Sequence, residues 1–203
     1  MIRSRKSRPQ GRPREFNPDK ALDRALEVFW RHGYEGASLN DLTAAMGINR
    51  PSLYTAFGNK EALFRKALGR YTDEHMAFIR AALDEPTARG AVEALLRGYA
   101  AAVTGPDTPP GCLTVQGALA SGPDSESIRA ELTAHRRAGE AALRARLSRA
   151  RKEGDLPGDA DPGELARYFN AIAQGLAVQA AGGASRRQLQ RVIDIALRVW
   201  PDP

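Results

Sequence analysis

The 203-residue chain has one cysteine, Cys112, few aromatic residues and no long apolar run. One cysteine cannot form a disulfide within the chain, so packing alone must stabilise the fold. The apolar runs fall far short of the roughly 20 residues that a membrane helix needs. An export signal has an apolar stretch after its basic start, and the arginine-rich start of this chain has none. We therefore expect a cytoplasmic protein that does not contact a membrane.

Signatures of catalysis and metal binding are also missing. The sequence contains no Walker loop, no Gly-x-Ser-x-Gly elbow, no His-Glu-x-x-His motif and no paired cysteine–histidine cluster. Its three histidines, His32, His75 and His135, lie far apart in the sequence. We expect no enzyme activity, no cofactor and no metal ion.

Positive charge is concentrated in the first third of the chain. Residues 1–70 carry 14 basic and 7 acidic side chains, a net charge of +7, whereas residues 71–203 have a net charge of −1. Residues 1–14 hold six of the basic side chains among prolines and a glycine, so we expect a disordered arm. The asymmetry is typical of a segment that contacts a polyanion, joined to a neutral body with another task. A merely solvated basic face is the alternative.

Apolar residues recur at helical spacing from Asn17 onward, and no alternating run indicates a strand. We predict an all-α protein of about nine helices. The first helix ends at Gly33, and Pro86 closes a long fourth helix that Asn59 caps and that runs to about Leu83. The other predicted helices cover about 38–46, 50–57, 87–104, 112–121, 125–153, 162–181 and 185–199.

Two short helices joined by a glycine turn lie at about residues 38–57. Ser38 can cap the first of them and Gly47 ends it, while the second begins at Arg50 and ends near Phe57. This spacing is typical of a helix-turn-helix, whose second helix enters the major groove of DNA. We predict that Arg50, Tyr54 and Thr55 share the exposed face of that helix, with Leu53 and Phe57 packed inward.

The stretch GYEGASLNDLTAAMGINRPSLYTAFGNKEALF, residues 33–64, resembles the DNA-binding domain of the TetR family of bacterial transcriptional repressors, particularly its AcrR-like members. The resemblance implies a DNA-binding domain at residues 15–75 and an effector-binding and dimerisation domain at residues 76–203. One departure is Ala56, where many members carry histidine or tyrosine, so a phosphate contact is in doubt. The residues that carry the resemblance are Tyr34, Ser38, Gly47, Leu53, Tyr54, Phe57, Lys60, Glu61 and Leu63.

The resemblance also implies roles for individual residues at the DNA. Arg50 is the first candidate for a base reader, because a guanidinium pairs bidentately with guanine, and Ser38, Tyr54 and Lys60 are candidates for phosphate contacts. Ser38 could instead be only a helix cap, Tyr54 only a core aromatic, and the arm only a solvated tail. The predicted DNA-binding residues are Arg12, Arg14, Ser38, Asn49, Arg50, Pro51, Ser52, Tyr54, Thr55 and Lys60.

The C-terminal part is expected to bind an unknown small-molecule effector, which releases double-stranded operator DNA, and to form a homodimer that reads a palindrome. The candidate effector residues are semi-polar or aromatic side chains on apolar faces, although His75 could simply be a core residue. They are Tyr71, His75, Phe78, Tyr99, Cys112, Gln116, Phe169 and Asn170. The candidate dimer residues form two apolar stripes: Leu165, Phe169, Ile172, Leu176, Ala180, Leu189, Val192, Ile193, Ala196, Leu197 and Trp200.

Two alternatives share the same DNA-binding residues. Cys112 follows Gly111 at a helix start, where exposed N–H groups favour a thiolate, so the chain could instead sense oxidants or electrophiles. A buried small residue is the commoner explanation of such a cysteine. The chain could also bind DNA without sequence preference.

Overall fold

The computed structural model describes residues 17–119 and 125–201, so Arg12 and Arg14 lie outside the described residues. Within these ranges the chain forms ten α-helices and a final 3₁₀ turn at Leu197–Val199, which confirms the predicted all-α class. None of these helices combines the length and apolarity that crossing a membrane requires. The helices are α1 (Pro18–Gly36), α2 (Leu39–Met46), α3 (Arg50–Phe57), α4 (Lys60–His75), α5 (Phe78–Leu83), α6 (Ala88–Val103), α7 (Leu113–Leu119), α8 (Glu126–Glu153), α9 (Pro162–Ala181) and α10 (Arg186–Ala196).

Helix α1 holds the N-terminal helices together by packing against α2 and α4. The Asn17 side chain caps it by accepting a hydrogen bond from the backbone N–H of Lys20 at 3.0 Å. Gly33 interrupts the helix with φ +69°, a backbone conformation that favours glycine, and helical backbone resumes as far as Gly36. In the core behind α2 and α3, the rings of Phe29 and Phe64 meet edge to face, 5.0 Å apart.

The expected single helix from Asn59 to about Leu83 is wrong, because α4 ends at His75 and α5 begins at Phe78. No proline or glycine stands at this break, so the local sequence gave no signal of it. The reason is packing: α5 lies against α6, and the Phe78 ring covers Gly98. A Cβ atom at Gly98 would lie only 2.4 Å from Cδ2 of that ring.

The far end of α5 is held by Arg146 of α8. Its buried guanidinium donates hydrogen bonds to the carbonyl oxygens of Leu83, Glu85 and Pro86, at 3.1, 3.0 and 3.2 Å. Leu83 is the last residue of α5, and Glu85 and Pro86 follow it, so these carbonyls need partners from outside the helix. Arg146 therefore fixes the turn between α5 and α6 onto α8.

Helix α9 packs against α6 and α8, and α10 packs against α6 and α9. This packing buries most of the two predicted dimer stripes. This corrects the predicted dimer surface, because side chains exposed by at most 6% form the core of their own subunit. The exposed large apolar side chains on α9, α10 and the final 3₁₀ turn are instead Tyr168, Val178, Val192, Ile195 and Val199, of which only Val192 was predicted. The buried members of the predicted set are Phe169, Leu176, Ala180, Leu189, Ile193, Ala196 and Leu197, while Leu165, Ile172 and Trp200 are partly buried.

Candidate DNA-binding surface and effector cavity

Ser38 and Asp41 form a reciprocal cap at the start of α2. The Ser38 hydroxyl accepts a hydrogen bond from the Asp41 N–H at 3.1 Å, and the Asp41 carboxylate accepts one from the Ser38 N–H, also at 3.1 Å. The hydroxyl itself donates to that carboxylate at 2.6 Å. The hydrogen bond from the Ser38 side chain has the largest effect on the pKa of Asp41 and lowers it, and the bond from the Ser38 backbone lowers it further. The capping role of Ser38 is thus observed, and a phosphate contact from this exposed side chain stays a prediction.

Helix α3 begins and ends at the predicted residues and exposes the predicted face. Asn49 caps it, accepting a hydrogen bond from the Ser52 N–H at 2.9 Å. Arg50 is exposed at the first position, and its guanidinium donates to the Asn40 side-chain oxygen of α2 at 2.8 Å. This bond fixes the direction of the guanidinium relative to both helices. Sequence reasoning missed Asn40, because nothing in the local pattern pairs residues ten apart.

The remaining α3 side chains divide into an outer and an inner set. Tyr54 is 49% exposed, so the alternative that it is a core aromatic is wrong. The Thr55 hydroxyl donates to the carbonyl oxygen of Pro51, one turn back, at 2.9 Å. Leu53 and Phe57 are buried, as predicted, so α3 presents a polar face on an apolar base.

Lys60 opens α4 beside this face. Its ammonium group lies 4.5 Å from the centre of the Tyr34 ring, a cation–π contact that holds the side chain in place. Partial burial lowers the pKa of Lys60, against the effect of nearby Glu35. Lys20 and Arg24 of α1 add basic side chains to a groove of about 930 Å³ beside the turn between α2 and α3. The amphipathic pattern of α1 did not indicate that these two side chains line the groove.

A cavity of about 130 Å³ lies in the body among helices α4 to α9. Four of the eight candidate effector residues line it: Tyr71, Tyr99, Cys112 and Asn170. Sequence reasoning missed other lining residues, which include Thr72, Met76, Ile79, Thr114, Val115, His135, Arg136, Ala173 and Gln174. The cavity thus combines apolar walls with a few polar groups, as small-molecule sites usually do.

The other four candidates lie elsewhere. His75 lines a separate pocket, where its ring meets those of Trp30 and Tyr71 at 4.9 and 5.7 Å. Phe78 covers α6, Gln116 points toward Gly111, and Phe169 is buried with its ring 5.8 Å from that of Trp200. Helical spacing placed these residues on apolar faces but could not tell which faces meet at a cavity.

Hydroxyl groups surround the Cys112 sulfur at one wall of the cavity. The Tyr71 hydroxyl donates a hydrogen bond to Sγ at 3.2 Å, and Thr114 Oγ1 lies 3.1 Å from it. The pKa of Tyr99 is raised well above its ordinary value. Burial is the largest cause, and the electrostatic and hydrogen-bond interactions with Cys112 add to it. Burial does the same for Tyr71. Cys112 itself is buried, with 1% of its surface exposed.

Two connections join the cavity to the DNA-binding helices. Helix α4 carries Lys60 at its first residue and Tyr71 eleven residues later, about 16 Å along the axis. The buried indole N–H of Trp30 in α1 donates to the carbonyl oxygen of Gly111, next to Cys112, at 3.1 Å. A displacement at the cavity wall would therefore reach both α1 and α4.

A helix-turn-helix with an exposed polar second helix, joined to a helical body that encloses a cavity, defines the class of DNA-binding transcriptional regulators. Comparison with models of known protein families identifies one family within this class. The family described as "Bacterial regulatory proteins, tetR family" matches residues 21–67, and the "Tetracyclin repressor-like, C-terminal domain" matches residues 86–196. The chain belongs to the TetR family, as its sequence motifs implied.

The sequences of individual relatives align with nearly the whole chain. The HTH-type transcriptional repressor ComR of Escherichia coli is 38% identical over 195 residues, 95% of this chain and 93% of the relative. The HTH-type transcriptional regulator YezE of Bacillus subtilis is 32% identical, covering 93% and 98% of the two chains. A cysteine mutant of the TetR family regulator CifR, solved with 26-bp double-strand operator DNA, is 47% identical with a TM-score of 0.89, covering 94% and 100%. The predicted class, a DNA-binding transcriptional regulator, is confirmed, and these relatives are regulators rather than enzymes.

Proposed function

We propose that the chain represses transcription as a two-fold dimer that binds a palindromic operator, and that a small molecule in the cavity between α4 and α9 releases it from DNA. The observation that carries this proposal is the continuity of α4, which bears Lys60 beside the candidate DNA-binding face of α3 and Tyr71 in the cavity wall. An effector needs only a higher affinity for the released state to shift the equilibrium. A coupling of about 1 to 3 kcal/mol changes operator affinity about 5- to 150-fold.

A second copy of the chain is the occupant that we propose for the exposed apolar face of α9 and α10. One recognition helix of eight residues covers few bases, so a palindrome requires two of them, about 34 to 36 Å apart. Val178, Val192 and Ile195 are 42% to 61% exposed. Val192 also lines a groove of about 490 Å³ between the two helices. Covering such a face would remove apolar surface from water, which favours a stable dimer.

The dimer can be tested with Ile195→Glu, which places a charge at the most exposed of these side chains. We expect this variant to be a monomer in light scattering and to lose operator affinity, while circular dichroism stays helical. Gln190→Glu is the matched control, because it introduces the same residue at an exposed polar position of α10. A dimeric Ile195→Glu protein would contradict the proposed interface.

Operator recognition can be tested by selecting bound sequences from a random DNA pool, followed by competition at about 150 mM salt, where non-specific binding is weakened. We expect a palindromic consensus that competes strongly against random DNA. A protein that binds all sequences alike would leave only the alternative of a non-specific DNA-binding protein.

A thiol-based signal is the second candidate, favoured by the position of Cys112 in the cavity wall with hydroxyl groups around its sulfur. Both hydroxyls lie within hydrogen-bond distance of Sγ, so a modification of the sulfur would change contacts in the cavity wall. If this candidate is right, Cys112→Ser abolishes the release of operator DNA by peroxide or an electrophile. If Cys112→Ser responds like the unmodified sequence, the thiol is only a buried part of the wall.

A further inference from the structure

Among the described residues that line the cavity, one side chain carries a permanent charge, beside the titratable His135. Arg136 of α8 lines the cavity, and no Asp or Glu is among its described lining residues. Its recorded hydrogen bond runs from Nη2 to the Thr133 hydroxyl at 3.1 Å. In residues 17–119 and 125–201, no carboxylate lies within 4.0 Å of its guanidinium, whereas Arg65, Arg70 and Arg97 all form ion pairs.

An unpaired cation at a partly buried site is costly, because it loses hydration without gaining a counter-charge. Arg136 is partly buried, and its charge acts on the buried Tyr99 hydroxyl, opposing the rise in the pKa that burial causes. An anion bound beside it would supply a counter-charge that residues 17–119 and 125–201 do not provide. A second cation there would be repelled, and a neutral molecule would add no counter-charge for the guanidinium.

The rest of the cavity limits the size and shape of such an anion. Its volume of about 130 Å³ is slightly below the 150 Å³ of a protein cavity that holds benzene, so it accommodates about six non-hydrogen atoms. Met76, Ile79 and Ala173 give it apolar walls suited to an alkyl chain. Met76 and Ile79 also line a surface groove of about 490 Å³, which offers a route from solvent.

We infer that the cavity binds a short-chain aliphatic carboxylate, whose carboxylate pairs with Arg136 and whose alkyl chain lies against Met76 and Ile79. The inference rests on the proposed effector site and specifies its ligand class. A guanidinium is suited to this pairing because its N–H groups can bind both carboxylate oxygens at once.

The test is calorimetric titration of the full chain, without DNA, with three probes of similar size: butyrate, the neutral butyramide and the cationic butylammonium. We expect butyrate to bind at least about tenfold more tightly than butyramide, as a charged hydrogen-bonded pair implies, and butylammonium not to bind. Equal affinities for butyrate and butyramide, or no butyrate binding at millimolar concentration, would overturn the inference.

Substitutions in α8 test whether Arg136 provides the positive charge that binds butyrate. Arg136→Gln should remove the preference for butyrate over butyramide, and Arg136→Lys, which keeps the charge, should retain part of it. Arg137→Gln is the matched control, since Arg137 is the exposed neighbour and does not line the cavity. Circular dichroism and butyramide binding check that each variant is folded. A butyrate affinity unchanged in folded Arg136→Gln would refute the assignment.

The same measurements separate this inference from the proposed function. If butyrate binds through Arg136 but leaves operator affinity unchanged, the ligand class stands and the proposed release mechanism fails. If another compound releases the operator while no carboxylate binds, the release mechanism stands and the ligand class is wrong.

Discussion

Replacing Gly98 by alanine tests the packing that breaks the helix between α4 and α5. In a helix interior alanine is more favourable than glycine by about 0.8 to 1.0 kcal/mol. At Gly98, however, the new methyl group would lie 2.4 Å from the Phe78 ring, which would have to move. Overpacking of this kind costs about 1 to 3 kcal/mol.

Gly69 in α4 offers the matched control, because apart from its chain neighbours and the backbone of its own helix nothing lies within 4 Å of the position its Cβ would take. We expect Gly69→Ala to stabilise the protein by about 1 kcal/mol. Gly98→Ala should then be about 1 to 3 kcal/mol less stable than Gly69→Ala. Both free energies of unfolding can be measured by urea denaturation followed by far-ultraviolet circular dichroism.

A double-mutant cycle with Phe78→Ala isolates the contact. Without the ring, Gly98→Ala should become stabilising, so the coupling energy should equal the overpacking cost. If Gly98→Ala is as stabilising as Gly69→Ala in the unmodified sequence, the ring does not constrain α6. The explanation given for the break at Met76–Ala77 would then be wrong.

Three further predictions concern the DNA-binding domain. Arg50→Ala should relax sequence preference at one base pair, by about 1 to 3 kcal/mol, in a competition series against single-base variants of the selected operator; an unchanged preference would exclude it as a base reader. Lys60→Ala should weaken binding to all sequences alike and lower the salt slope by about 1 in titrations at several salt concentrations, and an unchanged slope would argue against a phosphate contact. Ser38→Ala should raise the pKa of Asp41 toward its ordinary value in an NMR titration, because hydrogen bonds from Ser38 lower it. Since the folded-state pKa lies below the unfolded one, the stability that Asp41 contributes is present above the unfolded pKa and lost as pH falls through the folded pKa.

The sequence predicted the short helices well because their ends carry strong local signals. Asn49 and Pro51 mark the start of α3, and Gly58, in a positive-φ conformation, follows its end. The break after His75 has no such signal and depends on how Phe78 packs against a distant glycine. Only tertiary structure could reveal it.

The same distinction applies to the candidate sites. Apolar periodicity identified the stripes of α9 and α10, but it could not tell whether Phe169 and Ile193 face their own core or a partner. It likewise placed Tyr71 and Cys112 on inward faces without showing that Arg136, 24 residues beyond Cys112, joins them at one cavity. Pairings between distant helices require the three-dimensional structure.

The bond from the Trp30 indole to Gly111 gives the protein an intrinsic optical reporter. The chain has two tryptophans, Trp30 and Trp200. The first lies 4.7 Å from the Tyr71 ring and bonds to the segment that bears Cys112, whereas the second packs against Phe169 near the C-terminus. We expect a movement of Gly111 away from α1 to lengthen this 3.1 Å hydrogen bond and to change the emission of Trp30. In a Trp200→Phe protein, the intrinsic fluorescence of Trp30 would therefore test whether the proposed effector moves the cavity wall relative to α1.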